Sequence, residues 1–121
     1  MLFYFDKTSY MDMESVVDPN EREVQAALML SALGNESRLR IYRLLVRAGP
    51  DGLPVGDIQE RIEIPASTLS HHIAALRQAN LVKQHRVGRT ILSCANYANM
   101  DELVNYLTEE CCTDALLGDR P

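Results

Sequence analysis

The stretch PASTLSHHIAALRQA, Pro65 to Ala79, decides the fold. Set at 100° steps, its residues separate into two faces. Leu69, Ile73 and Leu76 fall within about 60° of one another, as a core-facing helical stripe requires. Opposite them lie Ser67, His71, Ala74 and Gln78, with Thr68 and Ser70 on the flanks and no acid anywhere on that side. Hydroxyls, an imidazole and an amide can exchange hydrogen bonds with base edges and phosphates, and Ala74 is small enough to permit close approach to a groove. His72 sits nearer the core edge and reads as structural. Any solvated helix also shows a polar face, so the flanking segments must decide what this one is for.

Upstream, Pro65 suits the first turn of a helix and pushes Ile64 into an extended conformation. A short helix fits Val55 to Ile62, with Val55, Ile58 and Ile62 spaced for burial, so a helix, a tight turn and a second helix follow in order. Gly49-Pro50-Asp51-Gly52 ends an earlier helix that Asn35 or Ser37 can cap. In that helix Ile41, Leu44, Leu45 and Ala48 form the apolar stripe, and Arg40, Arg43 and Arg47 lie on another face. Earlier still, Asp18-Pro19-Asn20 is a helix start, and Glu21 and Glu23 favour its first turn. Val24, Ala27, Leu28 and Ser31 recur there at helical spacing, and Gly34 is a natural stop. Residues 1 to 18 show no sustained periodicity and are expected to be a flexible extension.

Downstream, Asn80 can end the helix, and LVKQHRVGRTILSCA contains two β-prone runs, Leu81 to Val87 and Thr90 to Ala95, joined at Gly88-Arg89. Arg86 and Arg89 bracket the turn, where they could reach backbone phosphates or the minor groove beside the helix. The predicted fold is mostly α with a small β-hairpin, a winged helix-turn-helix. Residues 19 to 112 would form the DNA-binding and dimerisation domain, and 113 to 121 a C-terminal tail.

A net charge of −5 argues against nucleic acid only until charges are placed. Residues 38 to 89 hold nine of the twelve Lys/Arg and four of the seventeen Asp/Glu, which leaves a basic middle between acidic ends. Phosphate contact needs local rather than global positive charge. At 121 residues the chain has the length of one domain. No apolar run approaches the ~18 residues of a membrane span, and MLFYFDKTSYMDMES does not read as a secretory signal, so a cytoplasmic location is expected. Three cysteines, two of them adjacent, suit reduced thiols in a ligand or redox role better than a disulfide framework. Cys94 reads equally well as a small buried apolar residue.

Taken together, these motifs resemble the ArsR/SmtB metalloregulatory repressors. LSALGNESRLRIYRLLV is similar to the family's opening segment LG(D/N)xTRLxIL through Leu33-Gly34-Asn35 and Arg38-Leu39-Arg40-Ile41. STLSHHIAALRQANLV matches the recognition-helix pattern through Ser67, Ser70, His72, Leu76, Ala79, Leu81 and Val82, with Asn80 in place of the usual Gly. RVGRTILSCANY resembles the family's wing. The resemblance covers roughly residues 24 to 112. It implies a homodimer, joined through the first and last helices, that holds a double-stranded DNA operator of inverted-repeat form until an inducer weakens the grip. Ser67, Thr68, Ser70, His71, Gln78, Arg86 and Arg89 are the expected DNA contacts.

The inducer must be read from ligands that are present. DGLPVGDIQE lacks the cysteines of the third-helix thiolate site, and DELVNYLTEECC lacks the histidines of the zinc and nickel sites. What remains is Cys111-Cys112. Met100, Leu103, Val104 and Leu107 make the apolar stripe of the last helix, and four more residues of helix would put Cys111 on that stripe. Adjacent thiolates select a soft, thiophilic centre, and L-T-E-x-C-C resembles an arsenic-responsive subgroup. The expected inducer is therefore arsenite or an organoarsenical. Trivalent arsenic prefers three thiolates. Cys94 or a cysteine of the second subunit could complete the set, whereas a mono-organic arsenical needs only the pair.

A thiol-based redox or reactive-sulfur sensor of the same fold stands as the alternative, acting through Cys94, Cys111 or Cys112. An enzyme is not expected. The histidines cluster in the expected recognition helix and wing, no third orienting group accompanies a Cys and His, and no glycine-rich phosphate loop occurs.

Overall fold

The computed structural model describes residues 19–117, and the extension read at residues 1 to 18 lies outside that range. Five helices and three strands run α1 (Pro19–Leu33), α2 (Glu36–Ala48), β1 (Leu53–Pro54), α3 (Val55–Ile62), α4 (Ala66–Gln78), β2 (Val82–Val87), β3 (Thr90–Ala95) and α5 (Tyr97–Thr108). One 3-10 turn follows at Asp114–Leu117, within the stretch read as tail.

Each helix starts where local chemistry permits. The Asn35 side chain accepts from the Arg38 N–H at 3.0 Å and so caps α2. Asn96 does the same for α5 through the Asn99 N–H. At the end of α4 the chain turns left-handed at Asn80, φ 61°. There the Asn80 N–H donates to the Arg77 carbonyl and the Leu81 N–H to the Leu76 carbonyl. This pair of bonds is a Schellman cap, sealed by the fully buried Leu76 and Leu81.

The core gathers one face from every helix. Ile41 and Leu45 of α2, Ile58 of α3, Leu69 and Leu76 of α4, and Leu81 are fully enclosed, each worth about 1.5–3 kcal/mol of burial. From α1 the buried residues are Ala26, Met29 and Ala32. The stripe read from the sequence, Val24, Ala27, Leu28 and Ser31, instead faces outward. The two stripes lie on opposite sides of α1, and tertiary packing turns Met29, flanked by two alanines, into the core.

The sheet has order β1-β3-β2, all antiparallel. The hairpin matches expectation within one residue, and the third strand was not foreseen. β1 is two residues long, with Leu53 opposite Ser93 and Pro54 opposite Leu92. Gly52 makes this pairing feasible. A Cβ there would stand 2.5 Å from the Ser93 carbonyl oxygen, and its φ is +81°. β1 thereby straps the start of α3 to the wing.

Candidate nucleic-acid interface and thiol pair

Helix α4 is held from below by Leu69, Ile73 and Leu76, all buried, which turns Ser67, Thr68, Ser70, His71 and Gln78 to solvent. Ala74 between them is half-buried. His72 is bound into the domain, with its Nδ1 3.3 Å from Nη1 of Arg38. Burial, then the Arg38 charge, then His71 lower its affinity for a proton. A guanidinium only donates, so Nδ1 of His72 accepts and the ring is neutral. Nε of Arg38 also donates to the Ala32 carbonyl at 2.7 Å, joining the end of α1, the start of α2 and the middle of α4. The structural role read for His72 is thus given a partner.

The wing rises beside α4 as β2 and β3, closed by the two-residue turn Gly88-Arg89 with Gly88 at φ 63°. Arg86 and Arg89 are exposed at its tip, and neither has an ion-pair partner among the described residues. Between α4 and β2 runs an open polar groove of about 420 Å³, lined in part by Arg77, Gln78, Lys83 and Gln84. It brings Arg77 and Lys83 to the same side as Gln78. Neither cation was singled out in the sequence, because six positions along the chain do not reveal that a helix end and a strand start share one groove. On the strand side, Nε2 of Gln84 donates to Oγ of the buried Ser93 at 3.0 Å, which fixes the groove wall.

The thiols occupy two separate places. Cys94 is buried on β3, whereas Cys111 and Cys112 are exposed beyond α5. Helix α5 ends at Thr108, earlier than the sequence reading required. Glu109 is extended, and Glu110 and Cys112 are left-handed at φ 60° and 67°. Cys111 therefore lies on a turn and not on the apolar stripe of the helix. The reason is local: the Glu109 N–H makes the last helical bond, to the Asn105 carbonyl at 2.7 Å, and the Cys111 N–H folds back to the Thr108 carbonyl at 3.2 Å. The turn brings Sγ of Cys111 within 2.9 Å of Sγ of Cys112. The hydrogen bond between them pushes the Cys111 thiol up, with burial a smaller cause. Among the described residues no three His, Cys, Asp or Glu side chains are grouped to hold one ion, so Cys94 does not join the pair within the chain.

This turn is tied to the first helix. Nη1 and Nη2 of Arg22 donate to the two carboxylate oxygens of Glu109 at 3.0 and 3.1 Å, and the guanidinium carbon stands 5.0 Å from the Tyr106 ring centre. Both partners are about a third exposed. At the other end of α5, Nδ2 of Asn99 donates to the Asn80 carbonyl at 2.7 Å, touching the cap of α4.

Comparison with known proteins agrees with this architecture. A helix-turn-helix domain family matches residues 33–85. The transcriptional activator HlyU of Vibrio cholerae is 33% identical over 90 residues, spanning 72% of this chain and 81% of HlyU. The regulator NmtR of Mycobacterium tuberculosis is 38% identical over 91 residues, spanning 75% of this chain and 70% of NmtR. Among solved structures, an ArsR-like transcriptional regulator from Rhodococcus sp. RHA1 superposes with a TM-score of 0.71 at 23% identity, covering 81% of this chain and 91% of that one. A homodimeric winged helix-turn-helix domain from Mycobacterium bovis, Mb0332, gives 0.59 at 26% identity, covering 79% and 90%. No helix among the described residues is long and apolar enough to cross a membrane. With its helix-turn-helix, exposed polar face on α4 and cationic wing, the chain belongs to the ArsR/SmtB family of winged-helix, DNA-binding transcriptional regulators.

Proposed function

We propose that this protein is a cytoplasmic, homodimeric repressor that leaves its operator when trivalent arsenic, inorganic or mono-organic, is captured by Cys111 and Cys112. The observation that carries the reading is the exposed thiol pair, 2.9 Å apart, on a turn clamped to α1 by Arg22 and Glu109. Adjacent soft donors of this kind suit a thiophilic centre. With Cys94 buried elsewhere, the pair supplies two thiolates per chain. That set satisfies a mono-organic arsenical, and arsenite would take its third sulfur from the second subunit or from a movement that frees Cys94.

Residues 19 to 112 act as one DNA-binding and dimerisation unit. Val24 and Leu28 of α1 and Val104 and Leu107 of α5 are each more than half exposed. A second copy seated on these stripes would bury them and place two α4 helices about one DNA turn apart, matching an inverted repeat. Ser67, Thr68, Ser70, His71 and Gln78 would then read the major groove, and Arg86 and Arg89 would hold the flanking backbone. Inducer capture reshapes the turn, shifts α5 against α1, and spoils the spacing of the two helices. A coupling of only about 1–3 kcal/mol relieves repression 5–150-fold.

The test is titration of arsenite and phenylarsenite into the operator complex, followed by fluorescence anisotropy. Release by wild type and its loss in Cys111→Ser/Cys112→Ser is the expected pattern, and unchanged release by the double variant would sink the arsenic reading. The close sulfurs favour one second reading, oxidation of the pair by a peroxide or polysulfide. Two thiols would then give one disulfide, with two electrons and two protons passing to the oxidant. Mass spectrometry paired with the same binding assay separates the two.

A further inference from the structure

Four arginines stand together where α2 meets the end of α3. Arg40, Arg43 and Arg47 sit at helical spacing on α2, within about 60° of one another round the helix. Arg61 joins them from the end of α3, where Arg40, Arg47 and Arg61 line one hollow of about 320 Å³ over Leu44 and Ile62. Arg40, Arg43 and Arg47 line a second, of about 240 Å³, with Glu36 at its edge. Glu36 is the one acid that pairs with any of the four among the described residues, and it stands 3.9 Å from Arg40. The cluster holds a third of the chain's Lys/Arg, in a chain whose net charge is −5. Like charges at i,i+4 work against a helix, so an anion lying beside Arg43 and Arg47 would be favoured there.

We propose that this row is a second DNA-binding surface that grips the phosphate backbone flanking the operator half-site. Its length is on the scale of a duplex: from Arg40 to Arg47 is about 10 Å along α2 at 1.5 Å per residue, comparable with about three base-pair steps of ~3.4 Å rise along the DNA axis. Its place also fits. Ile41 and Leu45, on the far side of α2 from the arginines, bury into the core that carries α4, so the row points to the other side of α2 from that core. It meets DNA only where the duplex continues beyond the half-site and curves along the domain, the arrangement in which a bend is repaid by extra contacts. Such contacts add affinity without reading sequence.

Binding is measured on two operator duplexes, one ending at the half-sites and one extended at each end by about a helical turn of ~10 base pairs, across roughly 50–200 mM salt. Wild type is expected to bind the longer duplex more tightly and with a steeper salt dependence. Arg43→Gln/Arg47→Gln/Arg61→Gln should lose that gain, its log–log salt slope on the longer duplex becoming shallower by about 2–3 per chain. Lysine at the same three positions keeps charge and should keep the gain, which guards against a folding artefact. Arg89→Gln should weaken both duplexes alike. The proposal is overturned if the triple glutamine variant retains the wild-type slope and length effect, or if wild type gains nothing from the extension. The second result would point the row toward an acidic protein instead.

Discussion

Nδ1 of His72 accepts from the Arg38 guanidinium at 3.3 Å, so a histidine of α4 is locked to the junction of α1 and α2 in its neutral form. The folded protein binds a proton at His72 less readily than the unfolded chain does. Its contribution to stability is therefore complete above the unfolded pKa of about 6.5 and is lost as the pH falls below that value toward the lower folded pKa. Thermal melts of wild type and His72→Asn from pH 8 to pH 5 check this. Asparagine offers an acceptor that does not titrate, and its melting temperature should fall less over the range. Equal slopes would mean that other groups set the acid sensitivity.

Asn80 holds a left-handed conformation that closes α4 and presents its carbonyl to Asn99. Asn80→Gly should leave stability unchanged or slightly higher, because glycine has no steric penalty there. Asn80→Val should cost about 1–2 kcal/mol, visible as a lower midpoint in urea. Because the cap also sets where α4 meets α5, the valine variant should in addition weaken operator binding.

The two halves of the proposed DNA interface should fail differently. Alanine at Ser67 or His71 is expected to cost about 1–3 kcal/mol on operator DNA and little on random DNA, the mark of a base-edge interaction. Glutamine at Arg86, Arg89 or Lys83 should weaken both and make the salt slope shallower by about 1 per chain for each phosphate no longer neutralised. Competition between operator and random duplexes at several salt concentrations separates these outcomes.

Helix α4, its stripe and the hairpin were legible because their signals are local: a 3.6 period, a proline at the start, an asparagine at the end and Gly88 at the turn. β1 was not legible, since two residues show no alternation and its existence depends on Gly52 meeting Ser93, 41 positions away. The first helix misled for a related reason. Val24 and Leu28 are larger and more apolar than Ala26 and Ala32, yet the smaller pair lies in the core, and hydrophobicity alone does not tell a core stripe from an exposed one. For the thiols, composition identified the pair but not the left-handed turn at Glu110 and Cys112 that brings the sulfurs together.

The Arg22–Glu109 clamp offers the sharpest test of how the thiol turn speaks to the rest of the protein. Glu109 precedes Cys111 by two residues, and its partner lies on α1, 87 positions away. The pair is partly exposed, so its own worth to stability is small, and Arg22→Gln or Glu109→Gln should melt close to wild type. If a change at the turn reaches α1 through this clamp, both variants should still take up phenylarsenite at Cys111 and Cys112 but release operator DNA less completely. A double-mutant cycle makes the point quantitative: the Arg22→Gln/Glu109→Gln protein should lose no more coupling than either single variant, because one broken partner already severs the link. Additive losses would show that Arg22 and Glu109 act separately. Full coupling in all three would mean that the signal travels through the α5 backbone and the Asn99–Asn80 hydrogen bond, leaving the clamp as a fastening only.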